Sequence, residues 1–374
     1  MAFALGLAGA GLLVLTWGVY PTVIAVLARL VPRRRPAAPA TWPSATALLA
    51  ARETSAVIDA RVRNWLEGDY AGALDVIVAL DPSTMDPWTP GADIARRVTV
   101  ITGDAPGGKC ANLNAAARLA SGEILVMGDA HQLFARDAIT QLVTTLGDPH
   151  IGAVAGQLEI PAGHAGLVSR LYWRYERALR ANEARLHSTV GVSGSIYAIR
   201  RSLWEPLRPG LILDDVFVPM RLVLAGHRVA FERSAIATET RRVEAEQEFR
   251  RKVRTLTGNY QLCAWLPAVL VPLRNPIWLQ FVLHKLARLL TPFALLAAVA
   301  GLMLALPTPP ISVALVLGAA LLTLTLLVTL SPDPFSRRAR TATALVASLL
   351  AAPVVALANA LQGKWDVWQP HARQ

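Results

Sequence analysis

Apolar residues fall into two kinds of run along the chain. Between about 43 and 160, short runs of four to nine apolar or β-branched residues, "ATALLAA", "ALDVIVAL", "RVTVIT", "EILVMGD" and "IGAVAGQLEI", are separated by amphipathic stretches such as "AVIDARVRNWLEGD" and "CANLNAAARLASG". Strands alternating with helices predict an α/β domain with a mostly parallel sheet covered on both faces, and ligands of such sheets collect at the carboxyl ends of the strands. Acidic residues stand at two such ends: Asp81 follows "LDVIVAL" and Asp129 follows "EILVMG".

Runs of the second kind are longer. Met1 to Val31 contains one charged residue, Arg29, and further apolar blocks lie near 281–305, 311–330 and 341–361. About 20 apolar residues cross a bilayer core, so these predict an N-terminal anchor and about three later spans. The first run lacks a basic leader and exceeds the roughly 7–15 apolar residues of a signal peptide, which favours an uncleaved anchor. Arg33, Arg34 and Arg35 follow it directly, and "FSRRAR" (335–340) separates two later blocks, while the loop "LPTPPIS" (306–312) is uncharged. The positive-inside bias places the α/β domain in the cytoplasm of a multi-pass inner-membrane protein. The stretch "WLPAVLVPL" (265–273) fits an interfacial or re-entrant element, which changes the side reached by the C-terminus. The expected organisation is an anchor at 1–31, a stiff Pro/Ala-rich linker at 32–42, a catalytic domain at 43–240, an amphipathic segment at 241–278, spans within 279–362 and a tail at 363–374.

Composition agrees with partial burial in lipid: 53% hydrophobic, 17% charged, formal charge +11 over 374 residues. The arginines crowd the membrane-flanking segments and no nucleic-acid module is present, so anionic headgroups, not nucleic acid, are the expected partner of the basic charge. Cys110 and Cys263 are the two cysteines; in a reducing compartment no disulfide is expected, and two thiols cannot build a cysteine metal cluster.

Two nucleotide readings compete for the middle domain. "GDAPGGKC" (103–110) matches G-x-x-x-x-G-K-[ST] except at its last position, where Cys110 stands in place of a hydroxyl. A thiol is a poor ligand for magnesium, the loop follows the third apparent strand, and a P-loop NTPase leaves Asp81, Asp214 and Asp215 without a role.

The second reading uses more of the chain. The stretches "LLAARETS", "ALDPSTMD", "GGKCANLN", "VMGDAHQLF", "VGVSGSIYAIRRSLW", "LILDDVFVPMRLVLAGHRV" and "FRRKVRTLTGN", in that order, resemble the membrane-integrated family 2 glycosyltransferases, a group that includes the synthases of cellulose, hyaluronan and poly-N-acetylglucosamine. The resemblance implies a nucleotide-sugar-binding fold of the GT-A kind flanked by transmembrane helices, and an inverting hexosyltransferase with a nucleotide-sugar donor, in particular a UDP-sugar. The acceptor it implies is a polysaccharide, glycan or lipid, and the partners it implies are those of a polysaccharide assembly. By the same resemblance Asp81 reads the nucleotide base, Glu53 is the acid of the first loop, and Gly107, Gly108 and Lys109 approach the nucleotide. Asp129 is the first acid of Asp-x-Asp and holds a divalent metal, Mn2+ or Mg2+, on the diphosphate. Asp215 is the catalytic base, and Arg251 and Arg254 fall in the Gln-x-x-Arg-Trp segment. Apart from the resemblance, Asp214 is read as a structural partner on the acceptor side, and Tyr197 either lines the acceptor site or fills core.

The chemistry calls for these parts independently. A departing nucleoside diphosphate concentrates negative charge that a metal and basic side chains stabilise, and the acceptor hydroxyl must lose a proton to a carboxylate within reach. The chain departs from the family pattern twice. His131 replaces the second acid of Asp-x-Asp, which favours manganese as the ion and predicts loss of activity below about pH 6.5. "RKVRT" (251–255) lacks the Gln and the Trp that line a polymer's acceptor end, which weakens the expectation of polymerisation. A nucleotide-binding scaffold without turnover is the other class of function these departures allow.

Overall fold

A computed structural model describes residues 2–32, 37–161, 167–241, 245–305 and 350–366. The expected span at 311–330 and the basic stretches 33–35 and 335–340 lie outside them, as do the loop 306–312 and most of the tail. The chain forms two compact units, one of residues 24–242 and 262–280, the other of residues 1–23, 243–261 and 281–374.

The first unit is built on an eight-stranded sheet. Its strands are β1 (Ala45–Ala51), β2 (Leu74–Leu80), β3 (Val98–Thr102), β4 (Ile124–Met127), β5 (Gln132–Phe134), β6 (Ile151–Glu159), β7 (Tyr197–Arg200) and β8 (Arg228–Glu239), in the order β3-β2-β1-β4-β7-β6-β8-β5. The five strands expected from the apolar runs are all present, and β1 and β4 are buried along almost their whole length, as strands covered on both faces must be. The sheet is mixed: four pairings are parallel, but β7 runs antiparallel to both β4 and β6, and β5 antiparallel to β8. Strand order reverses between β1 and β4. At such a reversal the connecting segments leave to opposite sides and open a crevice at the carboxyl ends.

Helix α1 (Ser55–Leu66) buries Ile58, Arg61, Val62 and Trp65, a stripe at i, i+3, i+4 and i+7 that contains a charged residue. Trp65 packs edge-on against Phe134 of β5, and the same core holds Leu49, Val78, Val126 and Leu142. Helices α2 (Lys109–Leu119), α3 (Ala138–Leu146), α4 (Leu167–Leu186) and α5 (Asp214–Leu224) complete the unit.

Phe3–Leu30 is a single 28-residue helix long and apolar enough to cross a membrane. A second candidate, Trp278–Leu289 with Thr291–Ala305, is bent by 64°; Pro292 follows the break and offers no N–H to continue the ladder. The block expected at 341–361 is described only as Leu350–Leu361, shorter than a span. The N-terminal helix meets Thr291–Ala305 through small residues: a Cβ on Gly6 would stand 2.8 Å from the Cα of Gly301. Such close backbone approach is the usual packing of helices in lipid.

Candidate active site

The crevice between the carboxyl ends of β1 and β4 is lined by Ala50, Lys109, Met127, Gly128, Asp129, Gly194, Tyr197 and Asp214, with Leu113 beneath. Residues from five separate stretches thus meet at the point where strand order reverses, and Lys109, Asp129, Asp214 and Tyr197 are among those singled out in the sequence.

The loop before α2 is set by glycines. Gly107 and Gly108 take φ of +92° and +89°, the left-handed region where a side chain is strained, and Gly108 caps α2. Asp81, at the end of β2, ties this loop down. One carboxylate oxygen accepts the Ser83 N–H at 3.0 Å and the Ser83 hydroxyl at 2.6 Å; the other accepts the Gly108 N–H at 2.7 Å and the Asn112 amide at 3.4 Å. Burial is the largest influence on this carboxyl and pushes it up, but the four donors together hold it below its ordinary value. All four acceptor positions of Asp81 are therefore taken by its own chain.

Lys109, first residue of α2, places its Nζ 3.1 Å from Asp129 and 3.2 Å from the buried Asp214. Burial opposes its charge most strongly, yet Asp129, Asp214, Tyr197 and Asp215 together raise the ammonium well above its ordinary value, so it is a fixed cation. Asp214 and Asp215 open α5, where the helix N-terminus favours carboxylates. A Cβ on Gly194 would lie 3.1 Å from Lys109 Nζ and 3.8 Å from Asp215 Oδ2; the missing side chain leaves a hollow between the cation and the second acid. Tyr197, paired with Met127 across β4 and β7, is 1% exposed and lies behind the acids. Burial first, then Asp214, pushes its phenol well up, so its proton stays on.

His131 lies past the β4 turn, its carbonyl accepting the N–H and hydroxyl of Thr240. Burial and then Arg241 push its imidazole below the ordinary value, against Glu53, Glu239 and Asp129. The ring is neutral at neutral pH, and the acid-side loss expected near pH 6.5 moves lower. Glu53 accepts the N–H of Arg52 at 2.7 Å. Arg251 and Arg254 belong to the other compact unit, in the helix Ala245–Trp265.

For a divalent metal the relevant donors are the Asp129 carboxylate and the His131 imidazole. Among the described residues no three His, Cys, Asp or Glu side chains group to hold an ion. A protein pair completed by diphosphate oxygens and water fits the way such ions bind with nucleotides, and a mixed oxygen and nitrogen set suits manganese.

Sequence reading missed Arg241, Gly194, Asn112 and Arg61. Arg61 is 0% exposed, and its guanidinium carbon lies 4.0 Å from the ring centres of both Trp65 and Phe134. The signal for it was present, since the apolar period of α1 runs through position 61.

A mixed, mostly parallel sheet with a basic and acidic crevice at its strand-order reversal defines a GT-A-like fold. The profile of "Glycosyltransferase like family 2" matches residues 43–258, more than half of the chain, and the chain belongs to that family. The P-loop reading is thereby overturned, and the structure gives the reason: the loop follows the edge strand β3, and the buried Cys110 thiol faces the Leu211 carbonyl at 3.5 Å. The chain is 25% identical over 207 residues to the O-antigen chain rhamnosyltransferase of Salmonella typhimurium, covering 51% of this chain and 65% of that protein. It is 27% identical over 258 residues to an N-acetylglucosaminyltransferase of Bradyrhizobium diazoefficiens, covering 63% and 53%. It thus spans between half and two thirds of these relatives. The mannosyltransferase of Pyrobaculum calidifontis, solved with GDP-Man and Mn2+, shares the fold at a TM-score of 0.68 and 22% identity over 96% of this chain and 99% of that one.

Proposed function

We propose that the protein is a membrane-bound, inverting glycosyltransferase that moves a sugar from a nucleotide-sugar donor, a UDP-sugar by the family resemblance, to a glycan or lipid acceptor. The carrying observation is the crevice itself: Lys109 stands between Asp129 and Asp214, and the hollow at Gly194 separates that cation from Asp215. The donor diphosphate lies against Lys109 and the Gly107–Gly108 loop, which Asp81 fixes in place. Asp215 takes the proton of the acceptor hydroxyl as that oxygen attacks the anomeric carbon from the face opposite the diphosphate. The C–O bond to the diphosphate breaks, the new glycosidic bond forms, and the configuration inverts in one displacement. A divalent ion held at Asp129 and His131 supplies neutralisation of the leaving diphosphate. Asp214, paired with Lys109, orients the cation and does not act as base. The helix Phe3–Leu30, long and apolar enough to cross a membrane, is the anchor in this reading, and the positive-inside bias of the sequence puts the catalytic unit in the cytoplasm.

Purified full-length protein in detergent, offered a panel of nucleotide sugars, should release nucleoside diphosphate and yield a product heavier by one sugar. Nucleotide binding with no release for any donor would favour the scaffold instead.

Two substitutions probe the donor site. His131→Asp should move the metal preference from manganese toward magnesium, because two carboxylates replace a carboxylate and an imidazole; an unaltered metal profile would make His131 a bystander. Arg254→Ala should weaken UDP and UDP-sugar alike, since both carry the diphosphate. Calorimetry with metal present checks this, and equal UDP affinity would remove Arg254 from the site.

A further inference from the structure

A buried cation lies directly behind the turn that carries Asp129. Arg61 Nη1 donates to Asn64 Oδ1 at 2.9 Å, whereas Nε and Nη2 find no hydrogen-bond partner among the described residues. Nη2 occupies the space that a side chain at position 128 would fill, so the guanidinium abuts Gly128, one residue before Asp129. Its carbon lies 4.0 Å from the ring centres of both Trp65 and Phe134, in the corner made by the two edge-on rings, and Asn64 fixes Phe134 by accepting its N–H at 2.7 Å and donating to its carbonyl at 2.9 Å. The charge can neither swing away nor reach water. Burial pushes this guanidinium well below its ordinary value while the nearby Asp129 carboxylate favours its charged form; a charge left without full hydrogen bonding in a core costs stability, and a neutral residue of similar volume would pack the same stripe.

Asp129 therefore has two cations near it, Lys109 in the crevice and Arg61 behind the turn, while the neutral His131 supplies no second negative charge. Lys109 is shared among Asp129, Asp214 and Asp215, so the charge of Arg61 is the one that directly lowers the attraction Asp129 offers a bare divalent ion. The same ion arriving on a nucleoside diphosphate brings an excess of negative charge, and both cations then attract the complex.

We infer that Arg61 is a positioning residue whose fixed charge keeps free divalent metal off Asp129 and makes metal binding depend on the nucleoside diphosphate. The inference rests on the reading of Asp129 and His131 as metal donors. It would order the reaction: metal enters with the donor and leaves with the released diphosphate, and the crevice does not retain an ion between turnovers.

The test is Mn2+ binding to the purified full chain in detergent, followed by loss of the free-ion electron paramagnetic resonance signal, alone and with saturating UDP or GDP. Wild-type protein should bind Mn2+ weakly alone and at least about tenfold more tightly with one of the nucleotides, a change of about 1.4 kcal/mol. Arg61→Met should bind Mn2+ alone about tenfold more tightly than wild type, with a thermal midpoint equal or higher, since a buried, incompletely paired charge is gone. Arg61→Gln keeps a donor for Asn64 without the charge and should behave as Arg61→Met does, while Arg61→Lys should stay close to wild type. Asp129→Asn placed on Arg61→Met should abolish the gain. Equal affinity of wild type and both neutral variants for Mn2+ alone would overturn the role of Arg61 and leave the metal reading intact. No Mn2+ binding by any of them, with or without nucleotide, would overturn both.

Discussion

Asp215→Asn should abolish transfer while donor affinity stays close to wild type. The substitution keeps size and hydrogen-bonding reach but removes the only function asked of this side chain, acceptance of a proton, and loss of a general base costs about 10²–10⁴ in rate. Donor binding survives because the Asp81-fixed loop, Lys109 and Asp129 are untouched. Asp214→Asn is the internal control. Its side chain is 8% exposed and 3.2 Å from Lys109 Nζ, so the change weakens an ion pair without removing a base, and its effect on turnover should be smaller. Single-turnover release of nucleoside diphosphate alongside calorimetric donor affinity separates the two. Wild-type turnover in Asp215→Asn would transfer the base role elsewhere.

The parts of this site legible in the sequence were those that sit where a strand ends. Asp129 follows four apolar residues and Lys109 follows two glycines before an amphipathic run; local pattern and turn chemistry suffice for both, because the sheet brings strand ends together whatever the details of packing. β7 and β8 were not legible. "YAIR" is a four-residue run that follows a glycine-rich loop and ends in the first of two arginines, and "RVAFERSAIATE" mixes charge into a strand that changes register against β6. Both are strands because of their neighbours in the sheet, not through a period of their own. The antiparallel entry of β7 is what sets Tyr197 opposite Met127, two residues before Asp129, which no local pattern could foretell. Arg61 is the opposite case: its place on the buried stripe of α1 was written in the i, i+3, i+4, i+7 spacing, and only the assumption that charge faces solvent concealed it.

Asp81→Asn should destabilise the catalytic unit and weaken donor binding together. The native carboxylate accepts from four donors, and the three shorter contacts run from 2.6 to 3.0 Å. An asparagine keeps one acceptor oxygen and turns an NH2 group toward donors on the other side, so it must abandon either Ser83 or Gly108. Hydrogen bonds to a charged group contribute about 1.5–3 kcal/mol, and an unsatisfied buried donor costs a similar amount; a loss of about 2–3 kcal/mol corresponds to a thermal midpoint lower by about 5–10 °C for a unit of this size. The pH dependence identifies the cause. The folded carboxyl titrates below its ordinary value of 3.8, so its stabilisation is present above that value and is lost as pH falls through the folded one. The gap between wild type and Asp81→Asn should accordingly be widest near neutrality and close as pH falls below the ordinary value and through the folded one. Donor affinity should fall at neutral pH because the Gly107–Gly108 loop loses its tether. A stability gap that stays constant from neutral to acid pH would mean that packing, not the charge on Asp81, holds the loop.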